Sequence, residues 1–215
     1  MAALITTAVT NYSSTTLEKF ETVFRYSKFT TLIDEVDPAI LNNITNIKIS
    51  KTFKPTLSSA LKYTIDFSNA LYNPHSGHMG STAGVTAGGI LSSTGFSLNA
   101  STETWYLEDD GAGIVKTYYV SGTSKVYQAA AVGTIDYTTG EVVLTKINIT
   151  AVGDVDGSTS TSVRITVQPA SNDIVPVRNQ ILQIDAVNLS VTGTADTIAA
   201  GAGDAGVNYT TSATY

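Results

Sequence analysis

The sequence predicts an α+β protein that is mainly β: an N-terminal amphipathic helix followed by an antiparallel, sandwich-like sheet. Three observations carry this. Apolar residues recur at helical spacing between Leu17 and Ile33, and from Ile47 onward the apolar period changes to two. Short alternating runs then follow one another, separated by Gly, Asn, Asp, Ser and Thr clusters. Serine and threonine make up roughly a quarter of the 215 residues, which favours strands and turns over long helices.

Within residues 1–45, Ser13-Ser14-Thr15-Thr16 supplies N-cap oxygens, and Glu18 and Glu21 suit the positive end of a helix. Leu17, Phe20, Phe24 and then Phe29 and Ile33 form one apolar stripe reaching about Glu35. Thr22, Thr30 and Thr31 lower its intrinsic helicity, so the helix needs packing support. Asp37-Pro38 opens a further short turn over 39–43.

Residues 46–191 form the expected antiparallel region. In the run 47–53, Ile47, Ile49 and Phe53 share a face that only Lys51 interrupts, and Leu61, Tyr63, Ile65 and Phe67 alternate cleanly. A long Gly/Ser/Thr loop spans 73–89. Strands are expected over 95–98, 104–107, 114–120 and 125–128. Thr138-Thr139-Gly140 joins 135–137 to 141–144 as a hairpin, and 163–167, 181–184 and 187–191 complete the set. Residues 192–215 read as a Gly/Ala/Thr-rich terminal arm.

Composition narrows the function. The absence of cysteine excludes disulfides, thiolate metal sites and a thiol nucleophile. Twelve basic against eighteen acidic residues, a net charge of −6, argue against a phosphate-binding surface, so no nucleic-acid partner is expected. The sequence shows no apolar run of membrane-spanning length and no basic region ahead of an apolar start, so neither a membrane nor a secretory signal is expected.

No catalytic, metal or cofactor site is expected. His75 and His78 are separated by Ser-Gly without a third ligand nearby, so they read as a polar loop. Asp154-Val155-Asp156-Gly157 resembles the front of a calcium loop, but position twelve is Ile165, and a β-turn fits better. Asp109-Asp110 reads as a hairpin tip rather than a glycosidase pair, because adjacent strand residues face opposite ways. An alternative class is a surface adhesin or carbohydrate-binding β module using the 73–89 loop with Trp105, Tyr106, Tyr118 and Tyr119.

Four segments carry a family resemblance. They are Phe20-Glu21-Thr22-Val23-Phe24-Arg25-Tyr26-Ser27, Asn69-Ala70-Leu71-Tyr72-Asn73-Pro74-His75-Ser76-Gly77, the run 133–141 (GTIDYTTGE), and 171–182 (SNDIVPVRNQIL). They are similar to baseplate wedge proteins of T4-like contractile-tailed phages, closest in flavour to marine cyanophage versions of the large ring-forming wedge subunit in its C-terminal part. The resemblance implies a structural, non-enzymatic virion protein of the tail baseplate, assembled in the host cytoplasm. Its implied partners are itself, as a dimer within a ring, and other wedge proteins. On this reading Phe20, Phe24 and Tyr26, and next Pro176, Val177 and Arg178, are the expected interface residues.

Overall fold

Alternation of apolar and polar residues dictates most of the architecture. The computed structural model describes residues 1–74, 89–176 and 179–194. Its elements are helices α1 (Ala2–Tyr12) and α2 (Tyr26–Asp34), then strands β1 (Ile49–Phe53), β2 (Ser59–Asp66), β3 (Ser92–Ser93), β4 (Phe96–Leu98) and β5 (Trp105–Asp109). There follow β6 (Ile114–Ser121), β7 (Ser124–Tyr127), β8 (Gly133–Asp136), β9 (Glu141–Val152) and β10 (Val163–Val167). All the strand pairings are antiparallel.

The pairings β5–β6, β6–β8, β8–β9, β9–β4 and β4–β5 close into a ring. From this ring β7 extends β6, β2 extends β9, and β3, β10 and β1 extend β5 in that order. The long strand β9 serves two neighbours on one side, β8 along Glu141–Leu144 and β4 along 149–152. Lys146, between these stretches, takes φ +53°, and the β2 register shifts opposite it between Leu61 and Tyr63. That irregularity explains a departure from the expected alternation. Tyr63, Ile65 and Phe67 turn inward, but Leu61 is left exposed.

Leu107, Val115, Val142, Leu144, Ile149 and Ile165 fill the β core, each fully buried. Removing each such side chain from water contributes about 1.5–3 kcal/mol. Lys51 lies half-buried on the apolar face of β1, where its Nζ donates to the Asp66 carbonyl at 2.5 Å. Burial pulls its pKa down, partly opposed by the Asp66 charge. Most buried polar groups inside the sheet are partnered, Trp105 Nε1 and Asn148 Oδ1 being exceptions. Asp109 is not a hairpin tip but a buried strand end, accepting Tyr137 O–H at 2.6 Å and Leu91 N–H at 2.7 Å. The Asp154–Ser158 segment is a turn: Val155 and Ser158 bridge across Asp156 and Gly157, whose φ values of +53° and +74° are those of type I′.

Of the single helix expected from Leu17 to Glu35 only Tyr26–Asp34 is α-helical, and another helix, α1, precedes the expected span. Instead of capping a helix, Ser13–Leu17 forms a π-helical turn that ends α1, and the chain reverses at Glu21, with φ +62°. Leu17, Phe24, Phe29 and Ile33 are all buried, as the stripe required, but they enter one core from separate elements. Phe20, inside the same stripe, is 72% exposed. α1 carries no charge or side-chain cap to announce it, and Val9, Ile5 and Tyr12 hold it against that core. The strands expected at 181–184 and 187–191 do not form. There Leu182, Ile184 and Leu189 pack on the helical core, and Ile184 N–H donates to Ser13 Oγ at 3.0 Å.

Two stability tests follow from this packing. Gly140 takes φ +80°, and a Cβ there would lie 2.3 Å from the Asn69 carbonyl oxygen; Gly122, at φ +62°, has open space. Gly140→Ala is expected to cost more than about 2 kcal/mol in urea unfolding, and Gly122→Ala about 1 kcal/mol. Tyr137 titrates above the ordinary tyrosine range because it is buried and because it donates to Asp109. The unfolded chain therefore releases this proton first. The stabilisation is complete below about pH 10 and is lost as pH rises towards the folded value. Unfolding measured across alkaline pH is expected to show a flatter decline for Tyr137→Phe than for the parent.

Candidate assembly junction

After β10 the chain is held at several points between Gln168 and Val175. Tyr72 N–H donates to Gln168 at 3.0 Å, and Ala170 N–H to Ala70 at 2.9 Å. Asp173 then reaches the start of α2. Its Oδ1 accepts the Tyr26 N–H at 2.8 Å and its Oδ2 accepts Arg25 Nη1 at 3.3 Å. Arg25, the residue before α2, makes no side-chain cap bond of its own. Asp173 therefore caps the helix from 147 residues away, satisfying an orphan donor and placing negative charge at the positive end.

Ile174 and Phe24 exchange backbone hydrogen bonds of 2.9 and 3.1 Å. The Phe24 ring is buried, 5.1 Å from Phe29 and 6.4 Å from Tyr12. Asn69 acts as a one-residue strand on the other side: its Oδ1 accepts Val175 N–H at 3.2 Å, and its Nδ2 donates to the Val175 carbonyl at 3.0 Å. The hairpin completes the junction, with Leu71 N–H donating to Tyr137 at 2.7 Å and Phe67 N–H to Gly140 at 2.9 Å. The described parts of the four segments behind the family resemblance, far apart in sequence, thus meet at one place.

The expected interface residues divide. Phe24 is a core residue, and Tyr26 is half-buried with its hydroxyl donating to Thr45 at 3.0 Å. Phe20 is exposed, Pro176 is half-buried, and Val177 and Arg178 lie outside the described residues, as do His75 and His78. Sequence reading missed Asp173 and Asn69, whose partners are remote. It also missed Leu41 and Ile44, exposed apolar residues in a segment without periodicity; Ile44 is 91% exposed. With Met1, Leu4 and Phe20 they put large apolar surface on the helical part of the molecule.

Ligand-site features are sparse. Among the described residues no group of three or more His, Cys, Asp or Glu side chains could hold a metal, and no helix is long and apolar enough to cross a membrane. The aromatic residues offered for sugar binding pack largely on one another. Trp105 is buried against Tyr119, while Tyr106 stacks on Tyr118 at 5.5 Å and Lys125 Nζ lies 4.5 Å over the Tyr118 ring.

Removal of the remote cap has a local signature. Asp173→Ala is expected to destabilise the protein by about 1–2 kcal/mol and to speed amide exchange at Tyr26. Exchange at Val142 and Leu144, inside the β core, should quicken no more than the lost global stability requires, the additional local acceleration being confined to the start of α2.

Residues 1–52 match the family described as baseplate structural protein gp6, C-terminal domain III. The matched stretch is just under a quarter of the chain, and holds both helices and most of β1. No curated protein matches the chain. The family match supports a structural role in a phage tail baseplate, in contact with other baseplate proteins.

Proposed function

We propose that this chain is a structural subunit of a contractile-tail phage baseplate wedge, acting in ring assembly through protein–protein contacts, both with itself and with other wedge proteins. The observation that carries the reading is a coincidence of position. The segment matched to the baseplate family is also the segment that exposes Met1, Leu4, Phe20, Leu41 and Ile44. Apolar side chains of this size left in water favour burial against another subunit. Val175, Ile181 and Val187, from the returning chain, add to the exposed apolar set.

The role is geometric. The β ring supplies a rigid body, and the junction at Asp173 and Ile174 fixes the helical part upon it. Movement of a neighbouring wedge would then reach the sheet through hydrogen-bonded and packed contacts rather than through a flexible linker. T4-like and cyanophage wedge subunits are the relatives that the four segments favour, and assembly in the host cytoplasm follows from that reading.

The test separates docking from folding. Phe20→Asp and Ile44→Asp change exposed side chains, so unfolding stability is expected to stay within about 0.5 kcal/mol of the parent. Incorporation into tail baseplates, measured by complementation and electron microscopy of the particles, is expected to fall sharply. Particles carrying both substitutions with complete baseplates would overturn the proposed docking surface.

A further inference from the structure

Among the described residues the sheet has three strands paired on one side only, and they are not equally protected. β1 carries Lys51 turned inward, and β2 is broken by its register shift and carries the exposed Lys62. Both are recognised ways of blunting an edge. β7 is short and carries Lys125, but it has neither an inward-turned charge nor a break in register. It pairs only with β6, all four of its residues are exposed, and it contains no proline or bulge. Its lysine is already engaged: Lys125 Nζ lies 2.7 Å from Glu108 Oε2, and Tyr127 O–H donates to the same oxygen at 2.7 Å.

The register tells which backbone groups are free. Gln128 N–H donates to the Thr117 carbonyl at 2.9 Å, so in an antiparallel ladder Ser124, Val126 and Gln128 bond inward. Lys125 and Tyr127 therefore direct their N–H and C=O groups outward. We propose that β7 is a homotypic docking edge, pairing antiparallel with β7 of a second copy about a two-fold axis at Val126.

The occupant follows from self-complementarity. With Val126 facing Val126 of the second copy, Lys125 falls opposite Tyr127 and Tyr127 opposite Lys125. Both outward-directed residues then exchange hydrogen bonds, giving four in all. No like charges face each other, and each lysine gains a second tyrosine ring beside Tyr118, which it already covers at 4.5 Å. The two valines, 37% exposed in the single chain, meet on the opposite face. A four-residue edge is smaller than a stable dimer needs, so this contact adds to other interfaces rather than replacing them. It lies outside residues 1–52 and does not depend on the baseplate reading.

The absence of cysteine makes the test direct. Val126 and its copy would form a non-hydrogen-bonded pair, with Cα atoms about 4.5 Å apart, within disulfide range. In the full chain, Val126→Cys is expected to form a disulfide-linked dimer on the order of tenfold faster than Leu61→Cys, a control on the β2 edge. Adding Lys125→Pro removes an outward N–H without touching the inward bonds, and should bring the rate down to the control. Lys125→Ala should leave it within about twofold. Cross-linking no faster than the control, or unaffected by Lys125→Pro, overturns the proposal. Should a variant fail to fold, amide exchange in the unaltered protein decides. Slowing at Lys125 and Tyr127 as concentration rises supports the paired edge, and no change overturns it.

Discussion

The antiparallel pairing of β1 with β10 is the constraint on which the rest of the molecule depends. Ile49 faces Val167 and Phe53 faces Val163, so the first and last strands of the sheet lie side by side. The chain therefore enters and leaves the β part at the same place. The described residues before 49 and those that follow 167 as far as Leu189 pack on one another there. Val9, Leu17, Phe24, Phe29 and Ile33 from one flank close over Ile174, Leu182 and Ile184 from the other. Ile49 packs against both cores and couples them.

Polar chemistry supports this arrangement. Ser13, Asp109 and Thr117 are buried polar residues, and each has partners: Ser13 with Glu18 and Ile184, Asp109 with Tyr137 and Leu91, Thr117 with Gln128. Arg164, on β10, ties the Asp156 turn and Asp185 to the sheet, bonding to Asp185 at 2.7 Å, while Asn188 donates to both carboxylates. These bonds to Asp156 stabilise its ionised form and draw its pKa down. Such groups lock remote strands and loops together, which suits a rigid scaffold.

Large apolar side chains stand in water near the helices, at Phe20, Leu41 and Ile44, and also along the sheet, at Leu61, Val120 and Val126, where two of the three one-sided strands are guarded. Low charge, 14% of the residues, leaves few ions to desolvate on assembly. The structural baseplate role supported by the family match needs those properties more than it needs a pocket.

The sequence by itself determined the mainly β class, most strand positions, the 138–140 hairpin turn and the lack of any recognisable catalytic motif. Those features are local: a period of two, a glycine at a turn, a missing residue type are visible in a few consecutive residues. Tertiary structure decided the rest. The Leu17–Ile33 stripe satisfied helical spacing, yet its residues reach one core from a π turn, an extended bridge and a separate helix. The apolar residues at 181–189 alternate like strands, but they find the helical core instead of a free sheet edge. Asp173 became a helix cap, and Asn69 a strand substitute, only because the β1–β10 pair returned the chain beside residues it had left about 150 and 106 positions earlier. Periodicity records which side chains must be buried; which partner buries them is set by where the closed sheet delivers the chain.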